Sequence, residues 1–416
     1  MESPPPGRYH GKIESQAGRK LRILSVSTVF PNPRETGLGL FVRARLERMA
    51  ELADIVVVAP VARFDYSQAP GGEGAIPRRR QEGRLKVMHP RWLYPPLAGA
   101  WNGVFLFLAL AGLACRLRRR FRFEVIDAHF GHPEGVAGAL LGALLSCPVV
   151  ITLRGNETMH ARYRLRRYWM AWALRRATRV IAVSERLRQF AVSLGAAEER
   201  TRTIPNGIDV SIFYPRDRQR LRRDLGMTEG PSIVSAGYLI ERKGHHRVVR
   251  ALAVLRRNGI AAELWIVGGP GREGEFETEI RREVEQAGLR EQVHFTGAVA
   301  PARLAEYLSA ADVFCLASTR EGWPNVVHEA LGCGAPVVAT DVGGIPDMLP
   351  SGEYGMIVPP ADQSALEQAL RQALAKSWDR DRIAQWGQAR SWEQVAAEAV
   401  GQLRAAAERP PARRAA

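Results

Sequence analysis

The chain has 416 residues, 59 Lys and Arg against 43 Asp and Glu, and a formal net charge of +16. That length holds two domains, and 46% hydrophobic with 25% charged residues is a globular composition, which excludes a fibrous or wholly disordered protein. The basic excess favours anionic partners such as nucleotides or an acidic membrane face; the arginines lie along helices without interleaved stacking aromatics, so no specific nucleic acid is expected.

Residues 1–19 carry no apolar run and read as a disordered leader, not a signal peptide. Beyond them, β-branched runs alternate with helical patterns, the mark of parallel sheets with crossover helices. Strands are predicted at 21–26, 54–59, 85–89, 124–128, 149–153 and 179–183, then at 232–236, 263–267, 292–296, 313–317 and 336–340. All are continuously apolar, as in sheets covered on both faces. Ile204-Pro205-Asn206-Gly207-Ile208-Asp209 punctuates the join between the two series. The expected fold is therefore α/β, with two doubly wound Rossmann-like domains, 20–205 and 206–390, facing across a cleft. A helix over 391–407 and a disordered tail over 408–416 complete the chain.

The run 96–115 is nearly long enough to span a bilayer and is followed by Arg116, Arg118, Arg119, Arg120 and Arg122. Strands of one sheet flank it, so it is expected to lie against that sheet, with an outer face that dips into a membrane surface as the alternative. The four cysteines, Cys115, Cys147, Cys315 and Cys333, are far apart in apolar stretches and read as buried thiols.

Ligands in such sheets sit beyond the carboxyl ends of the strands, and each candidate motif falls there. Gly37 and Gly39 lie on the first strand-to-helix turn, where backbone amides can approach a phosphate, or they belong to a plain surface loop. His129 ends the fourth strand, and Arg154 ends the fifth, either facing the cleft or paired with Glu157. Tyr238, Arg242 and Lys243 follow the first strand of the second series. Cations at a helix start oppose the macrodipole, so Arg242 and Lys243 suggest a bound anion. Gly269 and Val299 could flank a ribose or base.

The most informative run is Glu321-Gly322-Trp323-Pro324-Asn325-Val326-Val327-His328-Glu329. Pro324 and Asn325 suit the first helical positions, so the amides of Asn325 and Val326 would point between two carboxylates. That is a seat for a phosphate gripped from both sides. No cluster has metal-ligand spacing, so no metal is expected, and diphosphate charge would fall to Lys243, Arg242 and helix amides.

Together these motifs resemble the retaining glycosyltransferases of family 4, which have the GT-B fold. The resemblance spans about residues 21–404 and is most specific in STREGWPNVVHEALGCGAPVVATDVGGIPD (318–347), with support from IPNGID (204–209) and ERKGHH (241–246). It implies an acceptor-side first domain, a nucleotide-sugar-binding second domain, and a last helix that crosses back to the first. It also implies a UDP- or GDP-linked sugar as co-substrate, no cofactor, and a glycan or lipid-linked acceptor in bacterial surface polysaccharide or glycolipid synthesis. Glu321 would then hold donor sugar hydroxyls, Glu329 the ribose and Lys243 the diphosphate, with Trp323, Pro324, Asn325 and Val326 lining the seat. His129 would stand by the reacting sugar. Two positions depart from the family pattern: Tyr238 replaces a frequent Arg, a charge Arg242 could supply, and Arg154-Gly155-Asn156-Glu157 replaces H-G-x-D. The second departure is similar to teichuronic-type branches. A cytoplasmic location at the inner membrane face follows from the basic clusters. The alternatives are an epimerase or hydrolase of the same fold, or a basic membrane or nucleic-acid module with a decayed site.

Overall fold

A computed structural model describes residues 19–62, 76–271, 274 and 276–408; the leader and tail expected at the chain ends lie, but for Arg19 and Glu408, outside these residues. In chain order the strands are β1 (Leu21–Val26), β2 (Ala53–Val58), β3 (Val61–Ala62), β4 (Arg79–Glu82), β5 (Leu85–Met88) and β6 (Arg91–Trp92). They continue as β7 (Val125–His129), β8 (Val149–Leu153), β9 (Arg179–Ala182), β10 (Thr201–Thr203) and β11 (Ser232–Ala236). The last are β12 (Glu263–Val267), β13 (Val293–Gly297), β14 (Val313–Leu316), β15 (Val337–Thr340) and β16 (Gly355–Val358).

Eight strands form the first sheet, in the order β10-β9-β8-β7-β1-β2-β5-β4, parallel except where β4 runs against β5. Six form the second, all parallel, in the order β13-β12-β11-β14-β15-β16. Strands β3 and β6 pair separately. In the first sheet the order turns between β1 and β7, and in the second between β11 and β14. Crevices open at such switch points beyond the carboxyl ends. The loops after β1, β7, β11 and β14 therefore meet at the site.

Each sheet is covered on both faces by apolar helices. In the first, Leu24, Ile126 and Ile151 pack with the helix Asn102–Arg120 through Leu106, Leu110, Ala114 and Leu117. The other side of that helix is open, with Leu108 63% exposed, so it is both a sheet-covering helix and a partly bare one. By length and composition it could cross a membrane, yet it covers the sheet that flanks it.

The opposite face of the first sheet is covered by the helices Leu40–Leu52 and Trp392–Ala407. The chain returns from the second domain to do this, through Ser391, which caps the last helix with a reciprocal bond to Gln394. Val395, Val400 and Leu403 are then buried beside Val42, Leu46 and Met49. Burying each such side chain is worth about 1.5–3 kcal/mol, which fastens the end of the chain to its beginning.

Candidate active site

Strand β11 exits at Gly237 into a loop that ends in a short 3-10 turn, Glu241–Lys243, and a left-handed Gly244 before the helix His245–Arg257. This turn carries the two basic side chains toward the loop after β14. Lys243 Nζ donates to Glu321 Oε1 at 2.7 Å, and Ser318 Oγ donates to the same oxygen at 2.8 Å. Arg242 stands 3.5 Å from the other oxygen and donates to the Arg320 carbonyl at 3.2 Å. Glu321 is thus held from three sides with its side chain 8% exposed.

The helix Asn325–Gly332 begins one residue after Pro324, so Pro324 caps it instead of opening it. As its first two residues, Asn325 and Val326 have amides with no intrahelical carbonyl to meet. Glu329 sits one turn in and is half-buried; burial pushes its carboxyl up to about 7, although nearby Lys243 pulls the other way. A cation, two amides at the open start of a helix and two carboxyl groups thus converge. Gly269, whose carbonyl accepts from the Leu239 amide at 2.9 Å, and Val299, on the rim of the second core, lie on neighbouring loops of the same domain.

The first domain contributes differently. Gly39 caps the helix Leu40–Leu52 with φ 68°, and a Cβ there would collide with the Val29 carbonyl. Tyr238 is 48% exposed, and its hydroxyl donates across the cleft to the Gly37 carbonyl at 3.4 Å. Where a cationic side chain was missing, the two domains instead share a hydrogen bond.

His129, expected beside the reacting sugar, lies on the floor of the first domain. It is fully buried, and both ring nitrogens are engaged. Arg154 donates to Nδ1 from Nε at 3.1 Å and from its terminal nitrogen at 2.9 Å. Nε2 therefore carries the proton and lies 3.0 Å from both Ser25 Oγ and Asp127 Oδ2. Burial, with Arg154 and Arg45, lowers the imidazole to about 4, against the pull of Asp127. Burial alone would raise the Asp127 carboxyl, but His129, Arg45 and Arg154 outweigh it and hold it well below the usual range. His129 thus sits beneath Arg154 with no ring nitrogen left for a sugar. Arg154 does not pair its guanidinium with Glu157 either; that carboxylate accepts from the backbone amides of Arg154 at 3.2 Å and Gly155 at 2.6 Å.

Arg154 continues the chain of bonds outward. It donates to Asn206 Oδ1 at 3.3 Å, and Asn206 Nδ2 donates to Asn325 Oδ1 at 2.9 Å. A polar path thus runs from the buried floor of the first domain to the first residue of the Glu329 helix. Beside it the two backbones touch: a Cβ on Gly155 would strike Gly322, and one on Gly322 would strike the Arg154 carbonyl. Trp323 lies in the same seam, partly buried against Val183 and Leu187 of the first domain, so it serves interdomain packing.

Asp127, Asn206 and the buried Glu134 were not singled out from the sequence as site residues. A signal for Asp127 existed: it lies two positions before His129 on one strand and so shares its face. Glu134, which accepts from Thr28 through both amide (2.8 Å) and hydroxyl (2.5 Å), sits between Pro133 and Gly135 and gives no such pattern. Among the described residues no group of three or more His, Cys, Asp or Glu could hold a metal ion.

Two parallel-sheet domains with their switch-point loops converging on a cation, helix amides and paired carboxylates define a GT-B glycosyltransferase. Residues 36–212 match Glycosyltransferase Family 4 and residues 217–390 match Glycosyl transferases group 1. The chain belongs to this family, and it is a glycosyltransferase. It is 31% identical to a D-inositol 3-phosphate glycosyltransferase of Pseudarthrobacter chlorophenolicus, over 71% of this chain and 74% of that one. It is 26% identical to the teichuronic acid biosynthesis glycosyltransferase TuaC of Bacillus subtilis, over 86% and 90% of the two chains. The fold is that of the Anabaena protein HepE solved with UDP, with a TM-score of 0.72 and 20% identity, over 93% of this chain and 100% of that one.

Proposed function

We propose that the enzyme transfers a sugar from a UDP- or GDP-linked donor to a glycan or lipid-linked acceptor, with retention of configuration and without a divalent metal. The placement of Lys243 2.7 Å from Glu321, beside the free amides of Asn325 and Val326, carries this proposal. A diphosphate entering there displaces Lys243 from full pairing with Glu321, which then turns to sugar hydroxyls. Glu329, its carboxyl raised by burial to about 7, can accept from the ribose and, in its protonated form, donate to it.

As the bond between the anomeric carbon and the phosphate oxygen breaks, negative charge grows on the departing phosphate, where Lys243 and the two amides meet it. The acceptor oxygen forms its bond on the same face and its proton passes to that phosphate oxygen. The engagement of both His129 nitrogens supports the phosphate, instead of an imidazole, as the base. The two relatives bear names that refer to teichuronic acid biosynthesis and to D-inositol 3-phosphate, and this supports surface polysaccharide or glycolipid synthesis here.

Peripheral attachment to the inner face of the membrane belongs to the same proposal. Trp101, Leu108, Tyr163 and Tyr168 are 46–63% exposed, and Arg116, Arg120, Arg162 and Arg164, in the same two stretches of chain, are exposed as well. Exposed apolar side chains and arginines on the same elements suit an anionic interface.

The test is thermal shift with UDP and GDP, with and without EDTA. One nucleotide should raise the Tm of the wild type in EDTA, and Lys243→Ala should lose most of that shift. Nucleotide stabilisation that requires added metal, or that is unchanged in Lys243→Ala, would refute it. Sedimentation with anionic vesicles at low salt tests the attachment, which fails if none binds.

A further inference from the structure

The helix Arg164–Arg176 starts against its own dipole. Arg162, Arg164, Arg166 and Arg167 crowd its beginning, and no acidic residue stands in its first turn. Cations there are unfavourable unless negative charge is bound nearby. Arg166 donates to His160 Nδ1 at 3.2 Å and its guanidinium lies 4.6 Å from the Tyr163 ring; among the described residues no carboxylate pairs with it. His160 therefore carries its proton on Nε2.

The His160 ring is 5.4 Å from that of His132. His132 is 3% exposed, and its Nδ1 is buried without a hydrogen-bond partner among the described residues. Its other nitrogen lies 3.5 Å from the Ala100 carbonyl, so Nδ1 is the bare, accepting one. An orphaned buried acceptor costs about 1–3 kcal/mol and calls for a partner. Glu157, the buried acid of this region, is occupied by the amides of Gly131, Arg154 and Gly155. Burial first, then the neighbouring His160 ring and Arg166, lowers His132 to about 4, and burial with Arg166 and Arg320 does the same to His160. Arg320 directly precedes Glu321, which sets this cluster at the edge of the donor seat.

We propose that Arg166, His160 and His132 form an acceptor subsite for a sugar or polyol that carries an anionic group. Arg166 and the His160 Nε2–H bind a phosphate or carboxylate, and His132 Nδ1 accepts from a neighbouring hydroxyl. The subsite rests on the proposed donor seat only for its role as acceptor side; its ligand chemistry stands on the cluster itself.

The full chain, labelled with 15N on histidine side chains, is titrated at constant ionic strength with glycerol 1-phosphate, with glucuronate and with uncharged glucose. The His132 and His160 ring signals should shift saturably with at least one of the two anions and not with glucose. Whichever anion saturates at lower concentration identifies phosphate or carboxylate as the group recognised. Arg166→Gln should weaken that binding at least tenfold, and His160→Ala serves should the first variant fold poorly. Absence of saturation with both anions, equal affinity in both variants, or displacement of the anion by UDP would overturn the subsite. UDP stabilisation is measured on the same samples: its loss in the wild type would sink the donor seat alone, and its persistence in Arg166→Gln is expected.

Discussion

Glu134 is 1% exposed, and burial pushes its carboxyl from an ordinary 4.5 up to about 7, despite the two bonds from Thr28. Glu329 is pushed in the same direction to a similar value. A carboxyl raised in the folded state binds a proton that the unfolded chain has already released. Stability is therefore greatest below the unfolded value and declines as pH climbs from about 4.5 to 7. Over that interval Glu134 alone withdraws at most about 3 kcal/mol, taking 1.36 kcal/mol per unit. Glu134→Gln cannot ionise, so its Tm should fall less between pH 5 and pH 8 than that of the wild type. The absolute Tm of the variant is a separate matter, because its buried amide gains a group to satisfy. Parallel slopes for the two proteins would show that Glu134 keeps an ordinary pKa.

The start of the helix Leu40–Leu52 shows how an element is placed by one residue. Gly39 holds φ 68°, ψ 34°, and its Cα faces the Val29 carbonyl where any Cβ would collide. A non-glycine residue in this region costs about 1–2 kcal/mol before the clash is counted. Gly39→Ala should therefore lower stability by about 2 kcal/mol or more, measured by urea unfolding, whereas Gly37→Ala, which has an ordinary φ and only Tyr238 near it, should cost little. Equal losses in the two variants would put the strain elsewhere. Glycines like this one were legible in the sequence because a strand and an apolar helix flank them. So were eleven strands, each within a residue of its predicted bounds, since a sheet buried on both faces leaves continuous apolar runs. Five strands escaped notice: β3 and β6 have two residues each, β10 has three, β4 is Arg-Arg-Gln-Glu at one sheet edge, and β16 is a short Gly-Met-Ile-Val edge strand with Ile357 exposed. The run proposed for the donor side stood out for a similar reason, being contiguous from Glu321 to Glu329. What was hidden is pairing across distance. Whether His129 meets a sugar or lies under Arg154 depends on two residues 25 positions apart, and no local pattern encodes that.

At the scale of the whole molecule, the two domains are joined by a narrow seam. Gly155 and Gly322 meet backbone to backbone, Asn206 links Arg154 to Asn325, and Trp323 packs across from the second domain to Leu187. The proposed donor seat lies almost wholly in the second domain, while Gly37, Gly39 and the histidine cluster lie in the first. Chemistry between donor and acceptor then depends on the seam holding the two halves in register, and a misplacement of about 1 Å can cost on the order of 100-fold in rate. Gly155→Ala tests this. Its φ of 126° disfavours any side chain, and the added methyl would press on Gly322. The seam should open, so the radius of gyration from small-angle scattering should increase and donor turnover should fall at least tenfold. Affinity for the nucleotide should fall less than turnover, because Lys243 and Glu329 lie away from the clash and only the backbone beside Glu321 is pressed. Asn206→Ala removes one bond of the same seam without adding bulk and should give a smaller effect in the same direction. If nucleotide affinity fell in step with turnover in Gly155→Ala, the seam would be part of the donor seat; if neither turnover nor shape changed, the close approach of the two glycines would have no part in setting the register.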